Sequence, residues 1–150
     1  MSDNQKTTDL INKLIECCRD SQQAYLEAAE HINDTRLRHY FNERSLERAQ
    51  FAGELSDRLR SFGEHDLKTE GTTTGAIRRA WMDMKSKMGA GDHGILSSLE
   101  ACEDTIKHAY HEAMRAGMPA ELSSIVRSQA QSIFVSHDYI RSVRDRKLAA

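Results

Sequence analysis

The sequence predicts an all-α fold: a four-helix bundle with one long crossover, carrying a short helix, between its second and third long helices. Three observations predict it. Apolar residues recur at three-and-four spacing through four long segments, strand-like alternation is absent, and two of the three connections are only a few residues long while the third is not. At 150 residues with 39% hydrophobic and 29% charged residues, the chain suits one domain with its own core, over 1–150.

The first helix is expected over about 8–32. Its stripe runs through Leu10, Ile11, Leu14, Ile15, Cys18, Tyr25, Ala28, Ala29 and Ile32, with Thr8 as N-cap and Asn33-Asp34 as the break. The second, about 35–62, carries Leu37, Tyr40, Phe41, Phe51, Ala52, Leu55, Leu59 and Phe62, and Gly63 stops it. The third, about 92–117, is capped by Asp92 and turns Ile95, Leu96, Leu99, Cys102, Glu103, Ile106, Tyr110, Ala113 and Met114 inward, ending at Gly117. The fourth, about 119–146, opens on Pro119, which a first turn tolerates, and continues through Leu122, Ile125, Val126, Ile133, Ile140 and Val143.

The connection from Glu64 to Gly91 decides the topology. A helix of about 26 residues is roughly 39 Å long at 1.5 Å per residue, so a link of this reach returns the chain to the end it left. Thr74 caps a short helix within 75–88, on which Ile77, Trp81 and Met84 share a face and Trp81 pins the crossover.

Charge and motifs exclude several function classes. A formal net charge of -2 gives no general attraction to nucleic acid or anionic lipid. No apolar run reaches the length of a membrane span, and the polar start Met1–Thr8 has no signal-peptide core, so a cytoplasmic protein is expected. Three cysteines without CxxC spacing, Cys17, Cys18 and Cys102, argue against a disulfide framework or zinc site and read as buried thiols, with a redox role as the alternative. No nucleophile-base set or phosphate-cradling glycine loop is present.

The informative residues are polar ones on apolar stripes, because an unpartnered buried charge is costly. Arg48 lies between Phe41 and Leu55. Glu103 holds the matching level of the third helix, Gln129, Ser132, Ser136 and His137 fall near it on the fourth, and Ser21 and Gln22 on the first. An echo, Cys17 to Ala28 against Cys102 to Ala113, marks Tyr25 and Tyr110 as corresponding inward sites.

Three readings compete for this layer. In a di-metal centre two helices each give a Glu and two give Glu-x-x-His pairs; here Glu103 qualifies, but Cys18 stands at its first-helix counterpart, and a central arginine repels cations. In the leading reading the layer is a structural network of Arg48, Glu103, Tyr25, Tyr110, Gln129 and His137 that fixes helix register, with no cofactor and no catalytic residue. The third reading is a small-ligand pocket. A non-standard iron or manganese site, built from Glu103, Glu47 and His137 in an oxidoreductase or sensor, is the alternative to the non-enzymatic reading. Asp104, His108 and His111 are expected on the solvated face of the third helix, with surface metal binding the lesser reading there.

The run Arg48-Ala-Gln-Phe51-Ala-Gly-Glu-Leu55, the crossover Thr74-Gly-Ala-Ile-Arg-Arg-Ala-Trp81, Cys102-Glu-Asp with Tyr110, and His137-Asp138 with Ile140-Arg141 resemble an uncharacterised bacterial family. Its members are ferritin-like four-helix bundles labelled as a domain of unknown function. The resemblance extends from about Asp9 to Arg146, and Gly-x-x-x-Arg-x-Trp in the crossover is its most specific piece. It implies a ferritin-like, stress-associated cytosolic protein with no established reaction. Against ferritins and rubrerythrin-like proteins the chain keeps Glu103 and Tyr110 in Glu-x6-Tyr spacing and lacks both Glu-x-x-His pairs. A homo-oligomer is a further expectation, with neither nucleic acid nor membrane as partner.

Overall fold

Apolar residues at helical spacing can only bury their stripes against one another, and four such stripes close on a shared core. In the computed structural model, which describes residues 3–63, 79, 82 and 91–149, the result is an all-α four-helix bundle. Its helices are α1 (Asp3–His31), α2 (Thr35–Ser61), α3 (Asp92–Met114) and α4 (Ala120–Ala149). The expected short helix at 75–88, with its cap Thr74 and its face Ile77, Trp81 and Met84, lies outside the described residues apart from Arg79 and Met82.

Helix α1 packs on α2 and α3, and α4 packs on α3 and α2, so α1 and α4 are diagonal, as are α2 and α3. Bonds between the helices set their directions. Along α1, Lys13, Cys18 and Tyr25 meet Glu112, Tyr110 and Glu103 in turn, so α1 and α3 are antiparallel. Arg48, Phe51 and Arg58 of α2 meet Ser136, Gln129 and Glu121 of α4, also antiparallel. Consequently α2 ends beside the start of α4, whereas α3 begins beside the α1–α2 turn at the opposite end of the bundle.

Asp34 caps α2: its carboxylate accepts from the amides of Arg36 (2.9 Å) and Leu37 (3.1 Å), satisfying donors that the first helical turn leaves open. Two expected caps differ. Helix α1 begins at Asp3, so Thr8 lies inside it and is buried. Asp92 does not cap α3, whose N-cap is Gly91. Its carboxylate instead accepts from the amides of Asn33 (2.9 Å) and Asp34 (3.3 Å), tying the α1–α2 turn to the start of α3. Gly63 follows α2 at φ +100°, donating its amide to Arg60, and Gly117 follows α3 at φ +70°; both conformations strain any residue with a Cβ.

The core runs the length of the bundle through Ile11, Leu14, Phe41, Leu55, Leu99 and Ile133, each fully buried. Full burial of such side chains contributes about 1.5 to 3 kcal/mol apiece. No described helix is long and apolar enough to cross a membrane.

Candidate functional site: two polar layers across the bundle

Arg48 is the largest fully buried side chain in the described structure. A guanidinium out of water requires a counter-charge and a partner for each of its five N–H groups. Here all five have acceptors. Nη1 donates to Glu103 Oε1 (2.6 Å) and Ser21 Oγ (2.9 Å), Nη2 to Ser136 Oγ (2.6 Å) and Glu103 Oε2 (3.4 Å), and Nε to Glu47 Oε1 (3.4 Å). Burial opposes the charge on Arg48 most strongly, but Glu103, Tyr25 and Glu47 together outweigh it and hold the guanidinium above its ordinary value.

Glu103, 1% exposed, is equally occupied. Besides Arg48, its Oε1 accepts from the Tyr25 hydroxyl (2.9 Å) and its Oε2 from Ser136 Oγ (2.7 Å). A carboxylate has about four lone-pair sites, and all four are taken. Tyr25 also lays its ring beside the guanidinium, 5.4 Å from Cζ to the centroid, a cation–π distance. Burial, reinforced by the Glu103 charge, raises the Tyr25 phenol well above its usual value, so it stays a donor. This layer draws on all four helices: Ser21 and Tyr25 from α1, Arg48 from α2, Glu103 from α3 and Ser136 from α4.

A second layer lies two turns along α3. The Tyr110 hydroxyl donates to Gln129 Oε1 (2.7 Å), and Gln129 Nε2 donates to the Phe51 carbonyl (3.3 Å) and Glu54 Oε1 (3.4 Å), which fixes the amide's orientation. Since the one hydroxyl proton of Tyr110 goes to Gln129, the 3.3 Å contact with Cys18 is made by the thiol donating to the phenol oxygen. This layer also touches every helix. Burial pushes the Cys18 thiol up to about 11, and Cys17 and Cys102 up to about 12. Such thiols stay protonated at neutral pH, whereas redox and nucleophilic chemistry need the thiolate.

The structure therefore joins Arg48, Glu103 and Tyr25 in one layer and places Tyr110 and Gln129 in another. His137 belongs to neither. It is 3% exposed, but it faces the groove between α3 and α4, with Nε2 2.5 Å from Asp104 Oδ1 and Nδ1 3.1 Å from Asp138 Oδ1. The set Glu103, Glu47 and His137 is not assembled around a common point: Glu103 faces Arg48, Glu47 is held by Arg44 (3.1 Å) and Arg48, and His137 faces Asp104. On the expected solvated face, Asp104 turns to His137 and His111 stacks on the Phe134 ring at 4.6 Å.

Sequence reasoning missed Cys18 and Glu54 as layer members, and Glu100 beside Asp104 and His137. The spacing Glu100-x-x-x-Asp104, one turn apart on the edge of the α3 stripe, was the available signal.

A family profile, Domain of unknown function (DUF2383), matches residues 6–116, about three quarters of the chain. The chain belongs to the DUF2383 family. The DUF2383 match takes in Ser21, Tyr25, Arg48 and Glu103, and ends before Gln129, Ser136 and His137 of α4. No curated protein matches the chain.

Proposed function

We propose that this DUF2383 chain is a non-enzymatic, ferritin-like bundle, cytoplasmic and stress-associated, that acts by binding or interaction through its surface while its polar layers serve the fold. One observation carries the reading: all five Arg48 donors and all four Glu103 acceptor sites are satisfied by the protein itself. A substrate or cation at the bundle's centre would have to displace a hydrogen-bonded guanidinium from its counter-ion. Ferritin-like descent and the stress association rest on the resemblance. The net charge of -2 supports a role without nucleic acid.

The test is metal analysis of protein purified without added metal, followed by an iron titration read by absorbance. The proposal expects Glu103→Gln to leave metal content unchanged while lowering stability. Stoichiometric iron or manganese uptake abolished by Glu103→Gln would overturn it in favour of a core metal site. Leu46 and Val135, 73% and 70% exposed, are the most exposed large apolar side chains among the described residues and support a homo-oligomer as the working form. A strict monomer in light scattering would remove that element.

A further inference from the structure

The groove between α3 and α4 holds polar side chains that neither layer uses. Glu100 and Asp104 stand one turn apart on α3, a spacing that puts both carboxylates on one face. His137 reaches them from α4, and one ligand atom from each of the three lies within 4.8 Å of the others. The residues just before Asp104 and His137, Glu103 and Ser136, point the opposite way into the Arg48 layer. The groove and the core layer are thus separate sites on the same two helices.

The imidazole decides what the groove suits. Packing holds a ring that is 3% exposed, and its two nitrogens face carboxylate oxygens on opposite sides, Asp138 at Nδ1 and Asp104 at Nε2. A neutral imidazole has one N–H and can donate to only one of them. A positive charge between the two carboxylates, carried by a second ring proton or by a cation at Nε2, satisfies both contacts. A carboxylate behind one nitrogen is also how metal-binding histidines are commonly held in the correct tautomer.

We propose that Glu100, Asp104 and His137 bind one first-row divalent transition-metal cation, with Asp138 orienting the imidazole. Two carboxylates and a neutral imidazole balance a charge of +2, and three protein ligands leave a position for water. The imidazole favours zinc, iron or nickel over magnesium or calcium. Glu100 is bonded to Arg144, and metal binding draws it away; Arg144 keeps Asp145, to which Nε (3.1 Å) and Nη2 (2.9 Å) already donate. The Asp104 side chain is 54% exposed, which opens the site to solvent. Lys107 and Arg141 act electrostatically on Asp138 and moderate the affinity.

The experiment is calorimetric titration of the full chain, stripped with chelator, with Zn2+, repeated with Co2+ as a spectroscopic probe. The wild type is expected to take one equivalent. Asp104→Asn, at a half-exposed position, and Glu100→Gln should each weaken binding by more than about tenfold, Asp138→Asn should weaken it through the imidazole, and His108→Ala should leave it unchanged. Zn2+ should raise the melting temperature of the wild type and not of Asp104→Asn, with circular dichroism verifying that each variant is folded. Absence of saturable one-to-one binding would overturn the proposal. So would equal affinity in Asp104→Asn and Glu100→Gln, because the metal would then sit elsewhere.

Discussion

Replacing Glu103 by glutamine tests the core layer most directly, because the two side chains have nearly the same shape and differ in charge and hydrogen-bond polarity. Glu103 accepts four hydrogen bonds and donates none. An amide retains one accepting oxygen and presents two N–H groups on its other side. In either orientation those N–H groups meet donors, Tyr25 with Arg48 Nη1 or Ser136 with Arg48 Nη2. The guanidinium, at 0% exposure, also loses its buried counter-ion and keeps only Glu47 at 3.4 Å, which is partly exposed and shared with Arg44. Removing one partner of a buried ion pair destabilises by about 3 to 5 kcal/mol. For a chain of this size, that lowers the melting temperature by roughly 6 to 20 °C. Urea unfolding followed by far-ultraviolet circular dichroism should show the loss as a lower midpoint at unchanged slope. The double variant Arg48→Met with Glu103→Leu should recover most of it, since apolar replacement of a whole buried pair is often neutral or stabilising. If Glu103→Gln unfolds at the wild-type midpoint, the pair does not hold the bundle and the structural reading fails.

Three further outcomes follow from the same geometry. Tyr110→Phe removes the donor that satisfies the buried Gln129 oxygen and should cost about 1 to 3 kcal/mol in urea unfolding. The buried thiols should make the bundle alkali-sensitive. Unfolded cysteines ionise near 9.0, whereas Cys18 does so at about 11 and Cys17 and Cys102 at about 12. The unfolded state therefore loses protons first, and stability that is nearly whole well below pH 9 falls as pH rises toward the folded values, approaching about 1.4 kcal/mol per pH unit for each thiol above pH 9; unfolding at pH 8, 9 and 10 should show a decline that steepens above pH 9, and a variant with all three cysteines replaced by alanine should show a shallower one, the remainder coming from the buried Tyr25 and Tyr110 phenols. Asp92→Ala unties the Asn33 and Asp34 amides from α3 and should increase hydrogen exchange at those two amides well before the α1 core exchanges.

The helices and the Arg48–Glu103 pair were legible for the same reason: a charge on an apolar stripe stands out against its neighbours, and two opposite charges at one level identify each other. Height and rotation were harder to read. Tyr110 is seven residues beyond Glu103, roughly 10 Å along the axis at 1.5 Å per residue, so one expected layer is in fact two. Ser136 and His137 are adjacent, and a helix turns about 100° between them, enough to send one into the core and the other into the groove. Periodicity places both near the stripe, and only packing separates them. The start of α1 was hidden because Asp3 to Asp9 lack an apolar pattern; contacts such as Gln5 to Asp9 accompany the extra turns instead. Asp92 looked like a cap because its residue type suits one, but its carboxylate serves a neighbouring turn that is remote in sequence.

The internal echo between α1 and α3 bears on why the core is built this way. Cys18 and Tyr25 stand seven residues apart, as do Glu103 and Tyr110. The cross-helix bonds respect that correspondence: Tyr25 bonds Glu103, and Tyr110 bonds Cys18. The two contacts are versions of one arrangement, with a carboxylate in one copy and a thiol in the other. A carboxylate at both places would leave two buried negative charges and only one arginine, and the surplus charge would call for a further cation. With cysteine at position 18 the count of fully buried charges closes, the Arg48 guanidinium against the Glu103 carboxylate, with the partly exposed Glu47 paired to Arg44 as well as Arg48, and the thiol contributes a weak donor without a charge. The closed charge count of the layer thus depends on Cys18 as much as on Arg48. It also leaves the open groove at Glu100, Asp104 and His137, rather than the filled centre, as the place where this bundle is suited to take up a cation.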